Sequence, residues 1–357
     1  MKKVWIFSNK FAAAHFSHLC AWYACVKEAG YDCELVLDEG YRDFTEKEPD
    51  VSCFFNTDEE KLRSGCDVCI FYNLSKVDHK FYKRLIKRNP KMKTFLVLHE
   101  PRESVGEILS FFLHKQENGK ETVKALGRDY FAKKLLRKKV GIVLCSKKSE
   151  EVFVKRYPKY EPHYLFPLIF RDECVECSAE EKEYFSFIGT ALTCHGFEKF
   201  LATIKEMSVK DEKIKFQIAT GSDIQSALDD DLKKLIENGR LIVNSEHYLS
   251  NEEINEAYRK ASCVWLGYNR SMQSGVLCKA WMFGAPVVCS DVGSFREFVD
   301  ESCGVILKEN FTADDVYEAY RTVLARYPGI VESTRKAFFE KYYYGNFTDE
   351  MKNLIEG

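Results

Sequence analysis

Short apolar runs alternate with longer helical patterns along the whole chain, and this alternation restricts its fold more than any other feature. Strands that alternate with helices form parallel sheets whose two faces the helices cover. The strand-like runs of the first half are 4–8, 33–37, 66–72, 94–99 and 141–145. The pattern then restarts, with runs at 184–188, 213–219, 241–244, 263–268, 287–290 and 304–307. The sequence therefore predicts an α/β protein of two doubly wound domains.

The restart of the pattern also places the domain boundaries. We predict a Rossmann-like N-terminal domain over 1–165 and a Rossmann-like C-terminal domain over 184–340. Residues 166–183 contain Pro167 and a charge cluster without clear periodicity, which is typical of a linker. The last residues, 341–357, could cross back to the N-terminal domain. Open parallel sheets bind ligands beyond the carboxyl ends of their strands, so we expect the domains to face a central cleft that holds the site.

Composition excludes several classes of protein. Apolar residues make up 45% of the 357 residues and charged residues 30%, which is typical of a globular protein rather than a disordered or fibrous one. No apolar run reaches the roughly 18–20 residues that a membrane-spanning helix needs. The apolar stretch at the N-terminus is too short for a signal peptide and is typical of a first strand. We therefore expect a cytoplasmic protein.

The net charge of −2 conceals an asymmetry between the two halves. Residues 1–165 contain 31 Lys and Arg against 23 Asp and Glu, whereas the remaining residues contain 22 against 32. The densest basic stretch has interleaved apolar residues at helical spacing. It indicates either peripheral contact with an anionic membrane at its cytoplasmic face, or a solvated helix face packed on a sheet; no nucleic-acid motif accompanies it. The cations are Lys76, Lys80, Lys83, Arg84, Lys87, Arg88, Lys91 and Lys93, with a second cluster at Lys133, Lys134, Arg137, Lys138 and Lys139.

Fourteen cysteines are scattered along the chain, and most lie in apolar runs where a thiol packs as a small hydrophobic group. Two pairs have Cys-x-x-Cys spacing, Cys66 with Cys69 and Cys174 with Cys177. Four thiolates could hold a zinc ion, but Cys69 lies in a strand-like run whose side chains belong in a core. The two pairs are also far apart in sequence. We therefore expect no metal site.

One segment, 271–288, joins a predicted strand to a helix and then to another strand. The helix begins at Ser274 and Gly275, where backbone N–H groups without intrahelical acceptors and the positive end of the helix dipole favour an anion. Gly275 lets a ligand approach the backbone closely, and a diphosphate suits such a site. The alternative is an ordinary helix that Ser274 caps and Gly284 ends.

The wider pattern around this helix resembles the donor-site motif of the GT-B glycosyltransferases, in particular family 4 and its relatives in bacterial surface-polysaccharide biosynthesis. Residues 279–287, Lys-Ala-Trp-Met-Phe-Gly-Ala-Pro-Val, match the second half of that motif, and 273–277, Gln-Ser-Gly-Val-Leu, is similar to a polysaccharide-type subgroup. The stretches 249–261 and 290–299 resemble the segments that precede and follow it. The resemblance covers about residues 184–300, and the first domain matches in architecture and at a few positions only.

The resemblance implies a set of residues that bind the donor. Ser271 and Lys279 stand where the family has glutamates, and Thr190 and His195 stand where it has Arg and Lys. Lys279 and a protonated His195 are therefore expected to supply positive charge, and Glu297 to hold a ribose or sugar hydroxyl. The implied donor-binding residues are Gly189, Thr190, His195, Gln273, Ser274, Gly275, Val276, Lys279 and Glu297.

Two residues of the first domain are candidates for catalysis. His99 ends a strand-like run and matches a family position that contacts the donor sugar; alternatively it caps the next helix. Glu100 is adjacent and could act as the base of an inverting reaction. His15 and His18 lie one turn apart on a predicted helix, but without a third ligand they make a poor metal site. The family generally needs no bound metal, so none is expected.

The resemblance implies a glycosyltransferase of the hexosyl type (EC 2.4), which moves a sugar from a nucleotide-diphosphate sugar to a glycan or lipid-linked glycan without a further cofactor. The helix start would stabilise the departing diphosphate, and the basic first domain would bind the acceptor. Because the family glutamates are replaced, the alternative is a non-catalytic GT-B-like protein that binds a sugar or acts as a scaffold. A nucleotide-sugar epimerase is a third candidate. A dehydrogenase is not favoured, since no Gly-x-Gly-x-x-Gly follows the first strand.

Overall fold

The chain forms two compact units. The structure is a computed structural model that describes residues 1–72, 76–114, 119–138, 140–245 and 249–357. Unit 1 consists of Met1–Arg171 and Tyr342–Gly357, and unit 2 consists of Asp172–Lys341. Of the basic residues singled out above, Lys139 and the side chain of Lys76 lie outside the described part of the chain.

Unit 1 is built on a seven-stranded sheet in which every pair of neighbouring strands is parallel. The strands are β1 (Lys3–Ser8), β2 (Asp32–Leu37), β3 (Cys53–Phe55), β4 (Val68–Phe71), β5 (Lys93–Val97), β6 (Gly141–Leu144) and β7 (His163–Leu165). Their order across the sheet is β3-β2-β1-β4-β5-β6-β7. Every residue of β4 and β6 is buried, because helices cover both faces of the sheet. The predicted fold class is confirmed for this unit.

The helices of unit 1 lie between these strands, and several begin at a side-chain cap. Ser104 and Asp58 each accept a hydrogen bond from a backbone N–H of the first turn, and Ser146 forms a capping box with Ser149. The helices are α1 (Phe16–Glu28), α2 (Arg42–Thr45), α3 (Glu59–Ser64), α4 (Lys76–Arg88), α5 (Val105–Leu113), α6 (Gly119–Leu136) and α7 (Lys147–Arg156).

The helix that the sequence pattern predicts over 11–29 begins later, at Phe16. Ala12 has an extended backbone, and its N–H donates to the hydroxyl of Tyr41 at 3.0 Å. A single 3-10 turn, Ala13–His15, then leads into α1. A contact with a residue distant in sequence therefore keeps the loop after β1 out of the helix.

Helix α4 does not offer its apolar side chains to a membrane. Phe81, Tyr82 and Leu85 are buried in the same cluster as Trp5 and Phe7 of β1. The basic side chains of the described residues 80–88 are exposed on its other face. The structure therefore agrees with the second alternative, a solvated helix face packed on a sheet, because the core of unit 1 already uses these apolar side chains.

Unit 2 is built on a six-stranded sheet, again with parallel neighbours throughout. The strands are β8 (Tyr184–Ile188), β9 (Lys215–Ala219), β10 (Leu241–Asn244), β11 (Ala261–Leu266), β12 (Val287–Ser290) and β13 (Gly304–Leu307). Their order is β10-β9-β8-β11-β12-β13. The strand β11 lies at the centre and is buried along its whole length, with Trp265 packed against Phe185 and Phe200. This is the second doubly wound sheet that the sequence predicts.

The helices of unit 2 cover this sheet. One of them begins with a capping box, since Ser250 Oγ accepts from the Glu253 N–H and the Glu253 carboxylate accepts from the Ser250 N–H. The helices are α8 (Phe197–Lys210), α9 (Asp230–Glu237), α10 (Asn251–Lys260), α11 (Gly275–Met282), α12 (Phe295–Phe298), α13 (Ala313–Leu324) and α14 (Gly329–Tyr342).

The chain returns to unit 1 at the end of α14 and finishes with α15 (Thr348–Glu356), which packs on α1. Met351, Leu354 and Ile355 of this helix are buried. The segment 166–183 is divided: 166–171 belongs to unit 1, where Phe166 and its apolar neighbours are buried, and 172–183 belongs to unit 2. No helix within the described residues is both long and apolar enough to cross a bilayer.

Candidate functional site

Three loops of unit 2 leave neighbouring strands at one edge of the sheet. They follow β8, β11 and β12, which are adjacent and parallel. Parallel strands end at a common edge, so the residues that follow them meet there. Two hydrogen bonds from Asn269, to Cys194 O at 2.9 Å and to Thr193 O at 3.1 Å, join the first loop to the second. The Ser294 N–H donates to Ser271 O at 2.9 Å and joins the second loop to the third.

Two glycines allow these loops to approach so closely. A Cβ atom at Gly196 would lie 2.0 Å from the carbonyl oxygen of Gly267, and one at Gly293 would lie 1.5 Å from the carbonyl oxygen of Ser271. Both glycines also have positive φ angles, +68° and +59°. Only glycine meets both requirements, so these residues fix the spacing of the three loops.

The start of α11 lies in the second loop and has the properties of an anion site. Ser274 has an extended backbone, and its hydroxyl accepts from the Leu277 N–H at 3.2 Å. The N–H groups of Gly275 and Val276, in the first turn, have no acceptor within the helix. A Cβ atom at Gly189 would lie 3.5 Å from Val276 Cγ2, so the loop after β8 passes directly beside this helix start. The structure thus brings the implied residues of both loops together.

His195 and Thr190 occupy the positions where the family has cations. The Nδ1 atom of His195 donates to Thr190 O at 2.9 Å, and its ring stacks on Tyr268 with centroids 4.7 Å apart. A neutral ring with its proton on Nδ1 presents a lone pair at Nε2, so His195 becomes a donor to an anion only when it is protonated. The side chain of Thr190 is exposed at the same edge.

Lys279 has partners that the sequence did not indicate. Its ammonium donates to Glu173 Oε2 at 3.0 Å and to Asn255 Oδ1 at 2.9 Å, and the side chain is almost completely buried. A buried ammonium of this kind needs a counter-charge, which Glu173 provides. The expectation that Lys279 supplies charge to a diphosphate is corrected accordingly, because Glu173 balances that charge within unit 2.

The remaining implied residues of unit 2 lie beside the same loops. Gln273 precedes the helix cap, and its carbonyl accepts from the Ser271 hydroxyl at 3.1 Å, which orders the turn before α11. Glu297 is exposed on the short helix α12, and its N–H donates to Ser294 O at 3.0 Å. The contact of Ser294 with Ser271 therefore connects the segment that carries Glu297 to the turn that precedes α11.

The candidate residues of unit 1 lie at the carboxyl edge of its sheet. His99 Nε2 donates to Tyr72 O at 2.8 Å, and Cys145 Sγ lies 3.9 Å from His99 Nδ1. Both ring nitrogens of His99 are therefore engaged within unit 1, so the structure fixes the tautomer and orientation of the ring. Glu100 is half-buried beside it, and burial followed by the charge of Glu100 raises the pKa of the Cys145 thiol.

His15 joins this group, which the sequence pattern did not reveal. Its ring lies 5.7 Å from the ring of His99. Within the part of the chain that the structure describes, His15 Nδ1 is buried without a hydrogen-bond partner. Burial, together with His99 and Arg128, lowers the pKa of His15 from 6.5 to about 3. The ring is therefore neutral at physiological pH.

A buried carboxylate at this edge was also missed. Asp78, at the start of α4, is fully buried, and its Oδ1 accepts from Asn9 Nδ2 at 2.7 Å. Asn9 directly follows β1, and its Oδ1 accepts from Asn56 Nδ2 at 3.3 Å. In the sequence, the feature that could have indicated this site is Asn9, a polar residue directly after a buried strand. The described residues contain no group of three or more His, Cys, Asp or Glu side chains that could hold a metal ion.

Comparison with known proteins identifies the domain that contains the donor-side loops. Residues 182–326 match the family model of the glycosyl transferases, group 1. These residues are therefore similar to the group 1 glycosyl transferases. The matched region contains every implied donor-binding residue, from Gly189 to Glu297, and lies within unit 2. No curated protein sequence matches the chain.

Solved glycosyltransferase structures share the fold of the whole chain. Sucrose-phosphate synthase from Thermosynechococcus elongatus is 13% identical, with a TM-score of 0.70 over 100% of this chain and 98% of that one. HepE from Anabaena, in complex with UDP, is 12% identical, with a TM-score of 0.71 over 100% of both chains. A variant of TarM from S. aureus, in complex with fondaparinux, alpha-GlcNAc-glycerol and UDP, is 9% identical, with a TM-score of 0.71 over 100% of both. The chain therefore has the GT-B fold, with two Rossmann-like domains.

We expect the His15 ring to stay neutral in the folded protein when the pH is lowered from about 7 to about 5. Its pKa is about 3 in the folded state and 6.5 without burial. Between pH 6.5 and 3 the unfolded chain binds a proton at His15 and the folded chain does not. The free energy of unfolding therefore decreases as the pH falls from 6.5 towards 3.

Histidine-ring NMR shifts between these pH values measure the protonation state, with a His15→Gln variant to assign the signal. The unfolding free energy of that variant should fall less steeply over the same interval than that of the wild type. A His15 ring that titrates near pH 6.5 in the folded protein would contradict the assignment.

Proposed function

We propose that the chain is a hexosyltransferase that moves a sugar from a nucleotide-diphosphate sugar to a hydroxyl of a glycan or lipid-linked glycan. The observation that carries this proposal is the start of α11 within the region that matches the group 1 glycosyl transferases. The N–H groups of Gly275 and Val276 lie there beside the loop of Gly189 and Thr190. No cofactor besides the donor is required for this reaction.

The departing diphosphate is the group that this arrangement would stabilise. As the bond between the anomeric carbon and the diphosphate oxygen breaks, negative charge grows on the phosphate oxygens. Backbone N–H groups at the start of α11, together with the helix dipole, are already oriented towards that charge. A protonated His195 would add a positive charge. Glu297 is assigned to a hydroxyl of the ribose or the sugar.

In unit 1 the proposal assigns chemistry to His99 and Glu100. Both nitrogens of His99 are engaged with Tyr72 and Cys145, so this ring carries no proton in the reaction and is assigned to contact the sugar through its carbon edge. Glu100 is then the base that takes the proton of the acceptor hydroxyl as its oxygen attacks the anomeric carbon. This assignment gives inversion at that carbon, because the attack comes from the face opposite the diphosphate.

Solved structures with a similar fold suggest which nucleotide the donor contains. HepE has been solved in complex with UDP-glucose, and the TarM variant in complex with UDP. A uridine nucleotide is therefore the first donor that we propose for this chain.

We expect the melting temperature of the chain to rise with one class of nucleoside diphosphate or its sugar. Binding to the folded state alone stabilises it by about 2.7 kcal/mol at a hundredfold excess over Kd, which corresponds to roughly 5 °C or more for a unit of this size. Thermal-shift measurements against UDP, GDP and ADP and their glucose conjugates test this.

Thr190 provides the matched variants for that measurement, because its side chain is exposed and it follows Gly189, which lies beside the start of α11. Thr190→Glu places a carboxylate near the diphosphate and should weaken binding at least about tenfold. Thr190→Gln, which is similar in size and neutral, should bind nearly as well as the wild type. Equal binding by the two variants, or no shift with any nucleotide, contradicts the proposed site.

We also propose that unit 1 contacts an anionic membrane, through the helices α5 and α6 rather than α4. Leu109, Phe112 and Leu113 of α5 and Val123 of α6 are exposed, and we refer to these four residues as the apolar tip. A Cβ atom at Gly119, the first residue of α6, would lie 3.8 Å from the ring of Phe112, so the two helix ends adjoin. The exposed cations of the first turns of α6 are Lys120 and Lys124. Apolar side chains flanked by cations suit an anionic lipid surface.

Leu113→Asp should reduce the binding of the chain to phosphatidylglycerol-containing vesicles at low salt, because Leu113 is 75% exposed and would insert its side chain. Co-sedimentation with vesicles measures this binding. The matched control is Val209→Asp, which alters an exposed apolar residue of unit 2 and should leave binding unchanged. If the two variants bind alike, or if the wild type does not bind, membrane contact through the apolar tip is excluded.

A further inference from the structure

Unit 2 begins with a loop that contains two cysteines, and the proposed sugar transfer uses neither of them. Cys174 and Cys177 lie between Asp172, the first residue of unit 2, and β8. Both are free thiols. Cys174 is buried, whereas Cys177 is half-buried, and Val175 between them is fully exposed. Small thiol reagents in solution can therefore reach this loop.

Cys177 lies beside a cation at the end of α11. Its Sγ atom donates to Phe283 O at 3.3 Å, and Lys182 Nζ donates to the same oxygen at 2.6 Å. The thiol and the ammonium therefore meet at one carbonyl group. Lys182 also donates to Arg259 O at 3.0 Å, so its position is fixed by the backbone of two helix ends.

A second cation belongs to the same cluster. The guanidinium of Arg335 donates to both carboxylate oxygens of Asp172, at 2.9 and 2.7 Å, and to the carbonyl of Met282. A hydrogen bond from Cys174, assisted by the charges of Lys182 and Arg335 and opposed by burial and Asp172, lowers the pKa of Cys177 to about 6. The same hydrogen bond and burial raise the pKa of Cys174. Cys177 is the more acidic of the two thiols, as expected of a reactive cysteine in a positive environment.

The chain contains a second pair with identical spacing and very different surroundings. Cys66 and Cys69 are both buried, and Cys69 lies on the central strand β4. The Cys66 thiol donates to Met92 Sδ at 3.8 Å. Burial raises the pKa of Cys69 well above its usual value. Spacing alone therefore does not distinguish the two pairs, whereas their environments do.

We propose that Cys174 and Cys177 are a reversible thiol–disulfide site that reacts with low-molecular-weight disulfides of the glutathione type. The Cys177 thiolate attacks one sulfur of the small disulfide, which forms a mixed disulfide and releases the first small thiolate. Cys174 then loses its proton and attacks Cys177 Sγ, which closes the Cys174–Cys177 disulfide and releases the second small thiolate. The two protein thiols are oxidised, and the small disulfide is reduced to two thiols that take up the two protons.

The oxidation state of this site acts on the turn between α11 and β12. Neither the thiolate nor the disulfide has an S–H group, so only the protonated Cys177 thiol donates to Phe283 O. A Cβ atom at Gly284, which has a φ of +66°, would lie 2.5 Å from Cys177 Sγ, so this thiol is packed tightly against the turn. The opposite end of the same helix is the proposed diphosphate site.

The experiment uses the full chain, incubated with oxidised glutathione and then alkylated and digested with trypsin. Each pair falls on its own tryptic peptide: 172–182 contains Cys174 and Cys177, and 64–76 contains Cys66 and Cys69. Mass spectrometry should find 172–182 with an internal disulfide and 64–76 with two alkylated thiols. Before oxidation, iodoacetamide at pH 7 should modify Cys177 at least about tenfold faster than Cys66.

Two variants separate the roles of the thiols. Cys174→Ala removes the second nucleophile, so Cys177 should accumulate as the mixed disulfide with glutathione. Cys177→Ala should form neither species at Cys174. Reduced thiols on 172–182 after oxidation of the folded wild type, or equal oxidation of both peptides, would overturn the proposal.

Discussion

Parallel pairing of β8, β11 and β12 is the constraint on which the candidate donor site depends. Because the three strands are adjacent and parallel, the loops that follow them lie at one edge of the sheet of unit 2. Gly196 and Gly293 then allow backbone contacts that no larger residue would permit. The start of α11 is held between these loops, so the orientation of its N–H groups follows from the sheet and not from any single side chain.

The residues that replace the family's cations raise the question of which groups would stabilise a diphosphate. Thr190 and His195 stand where the family has cations, and the positive charge of Lys279 is balanced by the carboxylate of Glu173. In the proposed reaction, backbone N–H groups and the helix dipole therefore provide most of the stabilisation of the diphosphate. Such groups are fixed before the reaction begins, and they need no reorganisation when charge develops on the leaving group.

The features that the sequence predicts well are those set by neighbouring residues. The strands at 184–188 and 287–290 have the predicted bounds, because their apolar patterns are local. Contacts between distant residues produce the differences. Tyr41 delays the start of α1, and Glu173 and Asn255 hold the ammonium of Lys279, at separations that no spacing rule reveals. The three-residue edge strands β3 and β7 are too short to show a period of their own.

The proposed activity of the chain is the transfer of a sugar from a nucleotide-diphosphate donor. The most direct measurement is the release of nucleoside diphosphate from each nucleotide sugar, by the wild type and by Thr190→Glu, with and without a glycan acceptor. We predict that the wild type consumes one donor, faster with acceptor, and that Thr190→Glu is slowed at least about tenfold. A wild-type chain that binds a nucleotide sugar but releases no diphosphate above background would contradict the claim and favour a sugar-binding or scaffold protein.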